Sequence, residues 1–239
     1  KENPLKEYKT KVAILNKGLE ASKKTFGDID AKGRLSKGQT KGVFGHIIEE
    51  SLFEYQINSS KEPDFKEAGV ELKVVPFKKL KRGGYSAKER VVLNIIDFTN
   101  ENLMDFEKSS FWLKNSSLLL MFYLHEYDVD ISDLVIYGSL IFEYPEEDLL
   151  IIKQDWKKIS EKIKLGLAHE LSESDTMYLG ACPKGVNSSS LRPQPFSNIK
   201  AMQRAYSLKN SYVTQILNKY LINNDTNQHV YKHPNDFMN

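Results

Sequence analysis

The residues best suited to chemistry lie in one stretch, Pro63-Asp64-Phe65-Lys66-Glu67-Ala68-Gly69-Val70-Glu71-Leu72-Lys73. Val70 to Phe77 is rich in apolar and β-branched residues and reads as a strand. Side chains alternate between the faces of a strand, so Glu71 and Lys73 share one face while Val70, Leu72 and Val74 take the other. Charges set beside a core-facing row make sense where they line a cleft. Asp64 precedes Glu71 by seven residues, and Gly69 permits a turn between them, so the two carboxylates can face each other. Two carboxylates with a phosphate oxygen and waters suit Mg²⁺, a hard cation that keeps part of its hydration shell. The chemistry this implies is metal-assisted attack of water on a phosphodiester, with Lys73 stabilising charge or assisting deprotonation.

An acid-x-Lys triplet is by itself a weak signal, because chance supplies about one or two in a chain of this size. Glu7-Tyr8-Lys9, Asp64-Phe65-Lys66 and Asp155-Trp156-Lys157 are further examples. The first and last fall in predicted helices, where residues i and i+2 do not face each other. Glu71-Leu72-Lys73 alone combines a strand with a preceding Pro-Asp; the bland alternative there is a surface salt bridge on an exposed strand.

The elements that must position these residues read as a mixed α/β pattern. Helical spacing marks Glu7 to Lys24, Gly42 to Tyr55 and, after Pro145 and a run of acids, a helix to about Leu167. Phe26 to Lys41 reads as a looped connection. Strand-like runs cover Val70–Phe77, Val91–Phe98, Leu118–Tyr127 and Leu134–Tyr144, with a further strand expected over Ile199–Leu208. Ala181 to Phe196 reads as loop and Ser211 to Ile222 as a closing amphipathic helix. One α/β domain over residues 1–222, followed by a polar tail or linker start over 223–239, is the expected organisation.

Composition bounds the function classes. A 239-residue chain with 40% hydrophobic and 11% aromatic residues supports a real core and excludes disorder as the main state. One Cys excludes an internal disulfide framework and a Cys-based zinc site. The longest apolar run, Leu118 to Leu124, is too short to span a bilayer, and Lys1 to Glu7 lacks the apolar stretch of a signal peptide. A cytoplasmic protein is expected. The net charge of +2 hides a segregated distribution. Phe77 to Arg90 carries six basic residues against one acid, and Lys184 to Asn210 carries five against none. Glu126 to Asp155 holds nine acids and one Lys. The basic stretches, if brought to one face, suit a polyanion; solvated loops are the alternative. His46, His125 and His169 lack partners at metal or triad spacing, and Trp112 and Trp156 read as core anchors.

The string Asp64 to Lys73 resembles the active site of the PD-(D/E)xK nuclease superfamily, and specifically its MutH branch with the GATC-cutting type II restriction endonucleases. Lys41-Gly42-Val43-Phe44-Gly45-His46-Ile47-Ile48-Glu49 is similar to that branch's helix bearing a further active-site Glu. Phe77-Lys78-Lys79-Leu80-Lys81, Ser86 to Ile96, His169 to Glu173, Tyr178 to Gly185 and Ser188 to Lys209 look like its restriction-enzyme members. The resemblance covers roughly residues 10 to 222. It implies a restriction-endonuclease-like fold with a mixed central β-sheet flanked by helices. It also implies Asp64 and Glu71 as Mg²⁺ ligands, Lys73 as the catalytic Lys, and Glu49 as an auxiliary acid. Lys184 falls where the family reads bases, as suits a Lys donating to guanine. Arg204 and Lys209 become phosphate or base contacts, and Lys41, Lys79, Lys81 and Arg82 complete the expected DNA-contacting set. Two departures bear on specificity. Ser207 stands where the repair member has a Tyr linked to adenine-methylation sensing, which favours a restriction role. Cys182 stands where the repair member has an Arg, so a DNA contact there is lost or moved.

These readings converge on a Mg²⁺-dependent endonuclease acting on double-stranded DNA, with GATC as the target that the resemblance implies. One active site cuts one strand, so double-strand cleavage needs a dimer on DNA, a second visit, or a second domain outside this chain. The rivals are a repair-type nicking enzyme and a non-catalytic DNA-binding module whose acids are structural.

Overall fold

The computed structural model describes residues 8–38, 42–57, 60–187, 189–223 and 230–231; Lys41 and most of the expected tail lie outside them. In chain order the elements begin with helices α1 (Lys11–Leu19), α2 (Phe26–Ile29) and α3 (Val43–Ile47), the last running on as a π-helical turn over Ile48–Leu52. Strands β1 (Glu71–Lys79), β2 (Tyr85–Ala87) and β3 (Val91–Ile95) follow, then α4 (Phe98–Glu101) and α5 (Ser110–Asn115). Next come β4 (Ser117–Leu124), β5 (Ile136–Glu143) and the long helix α6 (Glu146–Lys164). The chain continues through β6 (Leu179–Pro183), β7 (Leu191–Gln194), β8 (Ser197–Met202) and β9 (Arg204–Leu208). It closes with α7 (Asn210–Ile216), a π-helical turn over Leu217–Ile222, and β10 (Val230–Tyr231).

The chain divides into two compact units. The first comprises the described residues of Lys1–Glu89, Ser117–Glu143 and Thr214–Asn239. Its mixed sheet has the order β10-β5-β4-β1-β2, with β1 parallel to β4 and the other pairs antiparallel. The apolar run Leu118 to Tyr123 forms central β4 and is buried along its length, as an unbroken hydrophobic strand covered on both faces must be. Ser139 donates to the carbonyl of Gly18 in α1 at 3.1 Å, which fixes that helix on one face. On the other face the Phe142 ring lies 6.1 Å from that of Tyr220. A Cβ at Gly138 would come within 3.0 Å of Leu221, so the absence of a side chain there lets the closing turn lie on the sheet. The fold class expected from the sequence, a mixed central sheet flanked by helices, is the one observed.

Helix α1 is shorter than its expected span of Glu7 to Lys24. The chain leaves it to pair with the start of β5, Lys23 N–H donating to Ile136 O at 2.8 Å and Ile136 N–H to Lys24 O at 2.9 Å. Backbone pairing outcompetes helix propensity here.

The second unit comprises Arg90–Ser116 and Tyr144–Val213, with the sheet β3-β9-β6 and the two-stranded ribbon β7-β8. Helix α6 begins after Pro145 as expected. Its first turn carries Glu146, Glu147 and Asp148 and its last Lys162 and Lys164, which complement the helix dipole. Buried Asp155 on α6 accepts from the N–H groups of Met177, Tyr178 and Leu179 at 2.9, 2.6 and 2.9 Å, anchoring the approach to β6. Two strand expectations need correcting. Val91–Phe98 ends as a strand at Ile95, because Asp97 caps α4 by accepting from Thr99 N–H at 3.1 Å. Ile199–Leu208 is two strands rather than one, parted at Gln203, and the expected loop Ala181–Phe196 contains β6's end and β7. Among the described residues no helix is long and apolar enough to cross a membrane.

Candidate active site

Asp64, Glu71, Lys73 and Glu49 all belong to the first unit. Phe65 and Val70 form an isolated antiparallel bridge, with Phe65 N–H donating to Val70 O at 2.9 Å. Gly69 closes that turn at φ +65°, a left-handed conformation that glycine adopts without strain. The turn returns Asp64 to the start of β1. There Leu72 N–H donates to Asp64 Oδ2 at 2.9 Å, and Asp64 N–H donates to Glu71 Oε2 at 3.1 Å. Lys73 Nζ donates to Glu71 Oε1 at 2.8 Å. The same-face placement read from strand alternation is therefore observed. The Glu71 side chain is only 4% exposed and that of Lys73 18% exposed, so this is not an ordinary surface ion pair.

Glu49 enters from α3. The helix starts at Gly42, which takes φ +86°, and widens into the π turn, where Phe53 N–H reaches back to Ile48 O at 3.0 Å. Such single wide turns recur at functional sites. Glu49 lies on this turn and lines a cavity of about 470 Å³ with Gly42, His46, Leu72, Lys73 and Tyr123. Its neighbour Glu50 is committed elsewhere, to Arg34, whose Nη2 donates to Glu50 Oε1 at 2.8 Å.

The electrostatics are those of crowded acids. Burial, then the nearby Asp64 charge, pushes the Glu49 carboxyl up to about 7. Burial, then Glu71, pushes Asp64 up to about 6, against the lowering effect of the Leu72 hydrogen bond. One ammonium, Lys73, faces three carboxyl groups. Among the described residues no group of three or more His, Cys, Asp or Glu side chains forms a ready metal cage. The fit is instead to an ion held by two carboxylates and completed by water and phosphate oxygens, as Mg²⁺ favours. The all-oxygen donor set and the upward shifts, caused first by burial and then by neighbouring acids, both suit a hard divalent cation.

Sequence pattern assigns no site role to two residues here, Tyr55 and His46. Tyr55 is 5% exposed, and its hydroxyl, held above its usual range by burial and then by Asp64, Glu49 and Glu71, has no partner among the described residues. Its place at the end of an apolar stripe announced only the ring, which packs against Phe65 at 5.7 Å. His46 lines the cavity with a buried Nδ1 that has no partner among the described residues, and burial followed by the Arg34 charge holds its pKa down.

The expected DNA contacts separate into two groups. Lys79, Lys81 and Arg82 are exposed at the turn joining β1 to β2, shaped by Gly83 and Gly84 at φ +88° and +80°. Lys79 is six residues beyond Lys73 along β1, about 20 Å at strand rise. Lys184, Arg204 and Lys209 belong to the second unit. Lys184 is half-buried at the end of β6. Arg204 donates from Nη1 to Ala181 O at 2.7 Å, and burial lowers its pKa. The Lys209 ammonium donates to the carbonyls of Glu173 and Thr176, both at 2.6 Å.

Residues 53–155 match the family model described as DNA mismatch repair enzyme MutH. The chain is 44% identical over 232 residues to the type II restriction enzyme Sau3AI of Staphylococcus aureus, covering 96% of this chain and 47% of that protein. It is 29% identical over 188 residues to the DNA mismatch repair protein MutH of Vibrio campbellii, covering 77% of this chain and 80% of the relative. With MutH of Shewanella woodyi it shares 26% over 218 residues, 88% of this chain and 92% of the relative. The chain thus spans about half the length of the restriction enzyme and most of the length of the repair proteins.

Proposed function

We propose that this chain, which carries a MutH-like domain, is the catalytic portion of a Mg²⁺-dependent endonuclease that hydrolyses double-stranded DNA at GATC, as a type II restriction enzyme does. The observation that carries the proposal is the convergence of Asp64 and Glu71, Asp64 N–H on the Glu71 carboxylate and Leu72 N–H on the Asp64 carboxylate, with Lys73 on Glu71 and Glu49 on the adjoining cavity wall. Identity of 44% over nearly the whole chain to a protein named as a restriction enzyme supports that reading over the repair type, where identity falls to 29%. The GATC assignment rests on the resemblance of the motifs, and a cytoplasmic place of action follows from the substrate.

Asp64 and Glu71 would hold the ion, which when bound supplies an activated water and charge neutralisation at the phosphorus. Everything else falls to the chain. The Asp64 carboxylate is oriented by the Leu72 N–H and the Glu71 carboxylate by the Asp64 N–H, so neither must be recruited when substrate arrives. Lys73, held by Glu71, presents an ammonium to a phosphate oxygen as negative charge develops there. Glu49, with its pKa near neutrality, can take and hold a proton at its carboxylate. The exposed cations Lys79, Lys81 and Arg82, with Lys41, would follow the phosphate backbone. Two copies on one site, or a further domain, would supply the second cut.

Incubating the chain with supercoiled plasmid bearing GATC sites, with and without Mg²⁺, tests the proposal. Metal-dependent linear fragments ending at GATC are expected. Accumulation of nicked circles identifies a repair-type enzyme, and binding without any cleavage overturns the enzymatic reading.

A further inference from the structure

The second unit contains an exposed arginine held by a buried amide, which charge counting alone did not single out. Of the cations between Lys184 and Asn210, Arg204 and Lys209 direct their nitrogens to carbonyls of their own unit. Arg192 on β7 is different. It is exposed, yet its guanidinium is fixed, because Nε donates to Gln203 Oε1 at 2.5 Å. No other bond to it occurs among the described residues, so Nη1 and Nη2 keep their donors while Nε is tied.

Gln203, the residue that parts β8 from β9, is 9% exposed and uses both ends of its amide. Nε2 donates to Lys184 O at 2.7 Å, and its backbone O accepts from Lys184 N–H at 2.7 Å. Its backbone N–H donates to Ser190 O at 2.9 Å. One amide therefore joins the end of β6, where Lys184 stands, to the ribbon strand bearing Arg192. A buried amide with every polar atom committed orients its partners at little entropic cost on binding.

We infer that Arg192 is a base-reading residue for the DNA proposed above, recognising guanine O6 and N7 with its Nη edge, and that Gln203 is the positioning residue that aims both Arg192 and the Lys184 backbone. The inference rests on the endonuclease reading and assigns part of its specificity. A planar fork with two free donors matches the paired acceptors of guanine in the major groove, which a flexible ammonium does not. A two-stranded ribbon is one of the shapes that groove admits. The stretch that carries it holds no acid to repel the duplex.

The test is binding of the full chain to duplexes carrying GATC, the same site with 7-deazaguanine in place of guanine, and a scrambled site, with cleavage measured in parallel. Arg192→Ala should lose about 10- to 100-fold in preference for GATC over the scrambled duplex, while scrambled binding changes little. The 7-deazaguanine duplex should weaken wild type more than it weakens Arg192→Ala. Arg192→Lys should not restore the preference. Gln203→Leu should mimic Arg192→Ala, and Gln203→Glu, which keeps an oxygen facing Arg192 Nε but loses the donor to Lys184 O, should recover only part of the preference. Equal loss on all three duplexes makes Arg192 a phosphate contact and overturns the inference, as does an unchanged preference in Arg192→Ala. A wild type without preference for GATC overturns the endonuclease reading as well.

Discussion

The backbone N–H of Asp64 holds the Glu71 carboxylate, donating to Oε2 at 3.1 Å, while Asp64 Oδ2 accepts at 2.9 Å from the N–H of Leu72, the residue after Glu71. The acid from the turn and the acid from the strand are thus fixed by backbone groups rather than by each other's charge. Two like charges remain close together in a desolvated place, at a cost that only a cation or a proton removes.

Glu71→Ala removes one of the proposed ligands and releases Lys73. Plasmid cleavage in Mg²⁺ is expected to fall by at least about 10²- to 10³-fold, the scale of losing a preorganised charge-stabilising group. DNA affinity without cleavage should stay within a few-fold, because the exposed cations are untouched. Cleavage retained near the wild-type rate would remove Glu71 from the site.

Crowded acids also lower the stability of the metal-free protein. A carboxyl whose folded pKa is raised binds more protons folded than unfolded. Its stabilising contribution is complete below about pH 4 and is lost as pH rises through about 6 for Asp64 and about 7 for Glu49. By about pH 8 the penalty is essentially fully present. Asp64→Asn and Glu49→Gln, which keep shape and remove charge, should each stabilise the metal-free chain by about 1–2 kcal/mol at pH 8 and by little at pH 4. Thermal melts at the two pH values check this. Mg²⁺ should raise the wild-type midpoint and leave that of Asp64→Asn nearly unmoved.

Much of this site was legible because strand alternation is a strict rule. Glu71 and Lys73 could share a face only if residues 71–73 were extended, and the apolar row of Val70 and Leu72 required it. The turn was legible from Gly69 and the central strand from its unbroken apolar run. The wide turn around Glu49 was not, since an i, i+3/i+4 stripe describes α- and π-helix nearly alike. Nor were the ends of α1 or of the strand from Val91, where competing partners, Ile136 O and the Asp97 cap, come from distant or local backbone that hydrophobic spacing does not encode. The division of Ile199–Leu208 at Gln203 depends on three hydrogen bonds to Lys184 and Ser190, equally invisible to periodicity.

Gly69 gives a separable test of the turn. A Cβ there meets nothing within 4 Å, so the cost of Gly69→Ala is the left-handed backbone alone. Destabilisation of about 1 kcal/mol is expected, with a larger fractional loss of cleavage because Asp64 is aimed by this turn. Gly69→Asn, which tolerates positive φ, should recover most of both. Equal cleavage by all three proteins would show that the turn does not set the Asp64 position.

Lys209 separates a structural from a DNA-binding role. Its ammonium donates to Glu173 O and Thr176 O at 2.6 Å, holding a short segment next to the start of β6. Removing it with Lys209→Met leaves two carbonyls short of a donor, so stability should fall by about 1–3 kcal/mol. A lysine that neutralises a phosphate also contributes about one unit to the slope of log affinity against log salt concentration. With its donors directed to carbonyls, Lys209 should leave that slope unchanged when replaced, while replacement of exposed Lys79 or Lys81 lowers it. A slope reduced by one unit in Lys209→Met, with an unaltered melting midpoint, would place this ammonium on the DNA instead.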